Sequence, residues 1–503
     1  MDCGVAAIYL KNSIVSYAEG GAAFYMHLML TALQHRGQQS AGFASFNPSR
    51  QTSPLDVHKE LGLVSEVFGV SKKELYKEVM RNFSGTTAIG HVRYGTSGSN
   101  GDERKSREET QPFHRRHTRA KKHYTFAWNG NLANYRELRQ KLEASGDFRL
   151  DSEVDTELLM HYLSVGLKED IDSDGKVDIE RVLRNTMPRF DGSYSVVMLD
   201  ATGTLTAFRD PKGFMPLCWG ENKDMIAIAS ETRALNKVGI YEHQDVTPGS
   251  FIEITSNRAI RKGHFGEGVY TPCFFQWMYF ANNMSIMDGL PVKKFREAVA
   301  DEMAKNEPYR GQLTDQWVVL PVPETSLPIA QRMASALGIR CIEDALIKDT
   351  SIRAFIEKEE QRDRLLAVKY NLDPSELRGK NIIVVDDSIV RGDTSKKLMG
   401  LIRQAAQPAS IHLRSASPPI VSPCFYGVDF PTLKELIAHR YPRSELEAKL
   451  AQLWEIESVR YLPVQSIQTI FAKAGKENTC IACLTGNYPT PAGQQRLEEL
   501  LNP

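Results

Sequence analysis

Up to about residue 250, apolar residues come in short runs closed by Gly, Asn or Asp: CGVAAIYL, TTAIGHVRYG, TFAWNGNL, YSVVMLD and GSFIEI. Such runs predict β-strands. Two longer stretches instead follow helical spacing, Ala22 to His35, stopped by Gly37, and a segment around Asp155 to Val165. After about residue 258 the texture changes. Apolar strands (QWVVLPV, NIIVVDD) alternate with amphipathic helices over Leu327–Leu337 and from Thr394, and the tail from Leu433 to Pro503 reads as helical with a polar end. That alternation predicts a parallel sheet with crossover helices. Two domains of different class follow, 3–257 and 258–503, joined between Glu253 and Thr271.

Composition narrows the class. At 503 residues the chain exceeds one ordinary core. It is 42% hydrophobic and 25% charged, as soluble globular proteins are. Lys+Arg and Asp+Glu both number 62, so no global field favours nucleic acid or an anionic membrane, and anionic ligands would need local sites. No apolar run reaches the roughly 18 residues of a bilayer span. The amino terminus lacks the basic region and cleavage pattern of a signal peptide. Seven scattered cysteines argue against a disulfide framework. A cytoplasmic enzyme is expected. Residues 101–123 carry eight Lys or Arg and read as a solvated loop insertion.

The most specific local signal is NIIVVDDSIVRGDTSKKLMGLIRQA, residues 381–405. A strand run, Ile382 to Val385, leads to Asp386 and Asp387, then a turn with Gly392, Thr394 and Ser395. A helix follows, with Leu398, Leu401, Ile402 and Ala405 on one face. A glycine loop opening a helix presents N–H groups and a dipole end to phosphate. Carboxylates at a strand end can meet ribose hydroxyls directly or through Mg²⁺. The string resembles the phosphoribosyl pyrophosphate loop of type I phosphoribosyltransferases, and VVDDSIVRG is most similar to the amidophosphoribosyltransferase branch. Asp393 departs from that branch, which usually has threonine there.

At the other end, Cys3 precedes a strand. If Met1 and Asp2 were removed, Cys3 would carry a thiol and a free α-amine, nucleophile and base on one residue. CGVAAIYL, LQHRGQQSAGF, GHVRYGTSG, WNGNLANYREL and DTELL occur in the order found in class II glutamine amidotransferases of the amino-terminal nucleophile fold. That resemblance implies an αββα glutaminase domain ahead of a type I phosphoribosyltransferase domain with a parallel sheet, α/β throughout. It implies that Arg93 takes the glutamine α-carboxylate, Asp155 the α-ammonium, and Asn129 and Gly130 the oxyanion. Arg36 is implied as a glutamine-site and positioning residue. The Met-Asp start resembles a minimal propeptide, so a mature chain beginning at Cys3 is expected.

On the ribosyl side the resemblance implies that Asp386, Asp387, Arg391, Gly392, Thr394, Ser395 and Lys348 bind phosphoribosyl pyrophosphate. Mg²⁺ would be held by Ser285, Asp386 and Asp387. A C-x-x-C pair alone is compatible with zinc, redox chemistry or chance. The sequences around Cys273, Cys424, Cys480 and Cys483 resemble the [4Fe–4S] ligands of the iron–sulfur branch, with a structural role for the cluster. Cys218 and Cys341 read as buried small apolar residues.

Three places depart from the family. Asn282, Asn283 and Met284 stand for arginine, proline and aspartate, and Met215 stands for arginine. The mobile loop, LIKDTSIRAFI, keeps Lys348, Arg353 and Phe355. Thr350 and Ser351 replace an Arg-Tyr pair there, and one residue is missing. The expected activity is hydrolysis of glutamine at Cys3 with transfer of ammonia to phosphoribosyl pyrophosphate, the committed step of purine synthesis. The partners implied are these small molecules and further copies of the chain, as a dimer or tetramer, with no nucleic acid and no membrane. Two other readings stay open: a specialised paralogue with weakly coupled sites, and a regulatory protein that keeps the fold without ribosyl transfer.

Overall fold

Side chains of the first strand, Gly4–Leu10, divide by period two: Val5, Ala7 and Tyr9 enter one apolar cluster, Ala6, Ile8 and Leu10 another. The pleat sends alternate residues to opposite faces, so a strand apolar at every position must be covered on both. The computed structural model describes residues 3–12, 20–50, 52–94, 103–172, 175–348, 370–430 and 432–502.

Gly4–Leu10 is central in a seven-stranded antiparallel sheet, flanked by Met225–Ala229 and Thr87–Arg93. A second, six-stranded antiparallel sheet holds Tyr124–Leu132 beside Gly192–Asp200. The sheets share a core of Val5, Ala44 and Ile89 with Ala127, Val197 and Ile252. Helix Ala22–Ala32 covers the outer face of the first sheet through Met26, Met29 and Leu30. Helices Asp155–Asp170 and Ile179–Thr186 cover the second through Leu158, Leu163 and Leu183. This is the expected αββα sandwich.

The second unit is built on a five-stranded parallel sheet ordered Arg340–Cys341, Trp317–Pro321, Asn381–Asp386, Ser410–Ser415, Ser458–Tyr461. In its central strand Ile383 and Val385 enter one core, and Ile382 and Val384 the other. Helices Val292–Lys305 and Leu327–Leu337 pack on the first face, helix Asp393–Ala406 on the second. A ribbon, Leu346–Lys348 with Tyr370–Leu372, stands apart from the sheet.

Several boundaries move. Strand Ile260–His264 pairs with Ser250–Ile254, so the first unit's sheet continues past residue 257 to His264. The first helix ends at Ala32, and a 3₁₀ turn, Gln34–Arg36, carries the chain to Gly37. The second helix runs on to Asp170. The charged segment is not a solvated loop throughout: it contains helix Glu103–Glu108, strand Phe113–Arg115 and 3₁₀ turn Ala120–Lys122. Gln111 there is buried and accepts the Trp128 N–H at 2.7 Å, which gives it a reason to be inside. In helix Asp393–Ala406 the buried stripe is Ser395, Leu398, Met399, Ile402 and Ala406, while Leu401 and Ala405 sit at its partly exposed margin.

Candidate active sites

Cys3 is 2% exposed, at the start of the central strand of the first sheet. Its backbone N–H donates to Asn129 Oδ1 at 3.1 Å. This bond brings the first sheet's strand end to the second sheet's strand Tyr124–Leu132, which carries both Asn129 and Gly130. The amide of Asn129 is thereby fixed with its acceptor end on Cys3. A Cβ on Gly130 would lie 2.0 Å from the Ser193 carbonyl oxygen, so no other residue fits that strand crossing. Asp155 opens the helix Asp155–Asp170, and its Oδ2 accepts the Leu132 N–H at 3.4 Å. Burial pushes its pKa up to about 6, against the opposing pull of that N–H. A buried carboxylate at this height is poised for a cationic partner.

Arg93 ends the strand Thr87–Arg93, as its expected role requires, but its Nη2 donates to Glu109 Oε2 at 2.9 Å in a pair almost closed to solvent. Glu109 comes from the charged segment and was not anticipated. Gly37 packs so tightly on the Arg93 backbone that a Cβ would stand 2.5 Å from its carbonyl carbon.

Arg36, expected as a positioning residue of the glutamine site, lies behind Cys3. Fully buried, it pairs with Glu231 through Nε and donates from Nη2 to Gln276 Oε1 at 2.9 Å. It also backs the strand start, since a Cβ on Gly4 would lie 3.4 Å from Arg36 Cδ. Ser285, the residue expected at the magnesium site, also meets Glu231. Its hydroxyl is buried and donates to Glu231 Oε2 at 2.5 Å. Glu231 also accepts the Asn282 N–H at 2.9 Å and meets His35 Nε2 at 2.8 Å. The Asn282 bond uses the backbone, so this junction tolerates the change of side chain at position 282. Met215, the other departure, is buried, and its Sδ accepts from Gln276 Nε2 at 3.2 Å. A second junction is the buried bidentate pair of Arg209 with Asp288, at 2.6 and 3.0 Å.

Asp386 and Asp387 lie at the carboxyl end of the central parallel strand, where such sheets bind ligands. Burial and the neighbouring Asp387 charge push Asp386 well above the usual carboxylate range. Burial raises Asp387 too, opposed by its hydrogen bond from Ser388 and by the cations of Arg296 and Lys348. Lys348, at the end of the ribbon strand, is near enough to act on the Asp387 charge. Gly392, φ +85°, caps the following helix, and a Cβ there would meet Ile437 at 2.4 Å. The N–H groups of Asp393, Thr394 and Ser395 precede the first intrahelical bond, from Lys396 N–H to the Gly392 carbonyl at 2.9 Å. Asp393 itself is exposed. Arg391 is on the surface, paired with Glu435 at 3.1 Å. Residues 349–369, which hold the divergent loop beyond Lys348, are outside the described residues.

Cys273, Cys424, Cys480 and Cys483 line one small cleft with Tyr426 and Tyr488. None of the four is joined in a disulfide among the described residues. Burial pushes Cys480 up to about 12 and also holds Cys483 well above the ordinary thiol value. Among the described residues no three Cys, His, Asp or Glu side chains converge on one metal-sized point. The cleft joins both units: Cys273 N–H donates to the Phe214 carbonyl at 3.2 Å, and Phe214 stacks on Tyr426 at 4.3 Å. Cys218 is buried as expected, whereas Cys341 is only half-buried, on a sheet-edge strand.

Sequence reasoning missed Glu109, Glu231, Gln276 and Arg296. Each is an ordinary residue in its own stretch, and its role comes from a partner distant in sequence.

A sandwich with Cys3 against Asn129, followed by a parallel sheet with paired carboxylates, defines a glutamine amidotransferase joined to a phosphoribosyltransferase. Residues 102–237 match the family model described as glutamine amidotransferase domain. The amidophosphoribosyltransferase of Methanocaldococcus jannaschii is 33% identical over 98% of this chain and 99% of the relative. The chloroplastic amidophosphoribosyltransferase 1 of Arabidopsis thaliana is 33% identical over 97% of this chain and 78% of the relative. The glutamine phosphoribosylpyrophosphate amidotransferase of B. subtilis, solved with ADP and GMP, superposes with a TM-score of 0.79 at 29% identity, covering 97% of this chain and 98% of that one. The chain belongs to the amidophosphoribosyltransferase family.

Proposed function

We propose that the chain hydrolyses glutamine at Cys3 and passes the ammonia to phosphoribosyl pyrophosphate, giving 5-phosphoribosylamine, glutamate and pyrophosphate for purine synthesis. The observation that carries this is the joining of two different centres by one buried carboxylate, Glu231, which holds Arg36 behind Cys3 and Ser285 in the second unit. In the mature chain, begun at Cys3, the thiol attacks the glutamine amide carbon with the α-amine as base. Arg93 and Asp155 fix the amino-acid end. Asn129 and the Gly130 N–H stabilise the oxyanion, the term on which acyl transfer depends most. At the second centre the free N–H groups of the Gly392 turn bind phosphate, and Asp386 and Asp387 meet the ribose.

Asp386 and Asp387, close together and resisting ionisation, suit a divalent cation shared with substrate oxygens. Mg²⁺ there would neutralise the pyrophosphate leaving group. Four cysteines lining one cleft are the donor set that an iron–sulfur cluster takes. Cys273, Cys424, Cys480 and Cys483 would hold it as a structural fastening between tail and first unit. Family reading extends to a cytoplasmic homo-oligomer, and no helix among the described residues is long and apolar enough to cross a membrane.

The altered residues Thr350 and Ser351 favour a second reading, the same chemistry with weak coupling between sites. Glutamate release with and without phosphoribosyl pyrophosphate and Mg²⁺, and pyrophosphate release with glutamine or ammonia, separate the two. Glutamate release without pyrophosphate from either donor would refute ribosyl transfer. Glutaminase indifferent to the ribosyl substrate would establish weak coupling. Intact mass showing Met1 or Asp2 in active protein would exclude the Cys3 start.

A further inference from the structure

Residues 110–136 contain no Asp or Glu, and within them HRRHTRAKKH brings strand Phe113–Arg115 and 3₁₀ turn Ala120–Lys122 together. Both elements pack on helix Asp155–Asp170, which adds Lys168. Lys121 alone of these cations has a counter-ion, Asp200 at 2.8 Å. Arg115, Arg116, Arg119, Lys122 and Lys168 make no ion pair with any described residue. Two of them are also covered. Lys122 is only 9% exposed, and Arg115 Nε is buried with no hydrogen-bond partner.

Burying cations beside one another without counter-charge is costly. The strain shows at Lys122, where burial and the charges of Arg115, Lys168 and Arg119 lower the ammonium pKa, and at His117, lowered by burial and by Lys122, Arg115 and Arg119. The acidic groups on the neighbouring strands are committed or directed elsewhere: Asp200 to Lys121, and Asp56 towards His114. A folded surface that gathers these charges, and leaves a guanidinium N–H unmatched, is completed by an anion from outside. The guanidinium forks of Arg115 and Arg119 match tetrahedral oxyanions, and Lys122 adds a point charge.

We propose that Arg115, Arg119 and Lys122, with Lys168 adding field, form a phosphate-binding site on the first unit, separate from both reaction centres. It would take a phosphate group, either as inorganic phosphate or on a nucleoside monophosphate.

The test is thermal unfolding of the full chain at constant ionic strength, with phosphate exchanged for chloride, in wild type and in Lys122→Met. The ribosyl centre also binds phosphate, so the difference between the two proteins is the readout. In chloride, Lys122→Met should unfold at a higher temperature than wild type, because repulsion is relieved. Millimolar phosphate should raise wild type by about 2 °C more than the variant, with glutamine hydrolysis the same in both. Adenosine monophosphate in place of phosphate distinguishes the sources: an equal excess identifies a site for phosphate alone, a larger one a site for the nucleotide. Arg119→Ser provides a second removal by a surface change that folding tolerates. Equal phosphate shifts in wild type and both variants would overturn the proposal.

Discussion

Ser285 donates its hydroxyl to Glu231 at 2.5 Å, and through that bond the second unit holds the residue that neutralises Arg36 behind Cys3. Neither residue touches a substrate in the proposed reaction. Both sit where a change at one centre would be felt at the other.

Replacing Glu231 with Gln should remove the carboxylate that pairs with buried Arg36 and cost on the order of 3–5 kcal/mol in denaturant unfolding. Ser285→Ala should cost only about 1–2 kcal/mol, while still reducing the effect of phosphoribosyl pyrophosphate on glutamate release. Burial alone would raise the Glu231 pKa, but His35 and Arg36 outweigh it and hold it well below the usual range. A depressed carboxylate stabilises fully above its unfolded pKa, about 4.3, and loses that contribution as pH falls towards its folded value. Stability of the wild type should therefore fall more steeply below about pH 4 than that of Glu231→Gln.

Asp155 has the opposite sign. Its folded pKa, raised to about 6, penalises the ionised form, so this residue makes folding less favourable as pH rises from its unfolded value to about 6, and the penalty is constant above that. Asp155→Asn should raise the unfolding midpoint slightly. It should also raise the KM for glutamine steeply by removing the partner of the α-ammonium. In the wild type that KM should climb about tenfold per pH unit below the Asp155 pKa. A pH-independent KM between 5 and 7 would show that Asp155 does not hold the substrate.

Glu109 pairs with Arg93, the guanidinium to which the proposed reaction assigns the glutamine carboxylate. Glu109→Gln weakens this internal competitor, so the KM for glutamine should fall several-fold with kcat little changed. Steady-state glutamate release decides it, and an increased KM would mean that Glu109 orients Arg93 instead.

Gly130→Ala places a methyl 2.0 Å from the Ser193 carbonyl and must push apart the strands that form the oxyanion site. Glutamine-dependent turnover should fall about 10²–10³-fold, while ammonia-dependent pyrophosphate release persists. Loss of both would indicate that the substitution unfolds the first unit.

What the sequence determined by itself was local. Strand and helix positions followed from periodicity, because a pleat or helical turn imposes its spacing on neighbouring residues. The Asp386–Ser395 turn and the strand end at Cys3 were legible for the same reason: each is a short, contiguous device. Tertiary structure decided the rest. It brought Arg36 and Ser285 together on Glu231, put Glu109 on Arg93, and extended the first unit's six-stranded sheet with Ile260–His264. The side-chain relations among these link residues 16, 54 and 195 positions apart, and burial makes them compulsory, since a covered charge must find a partner wherever the fold supplies one. No local pattern records which partner that will be.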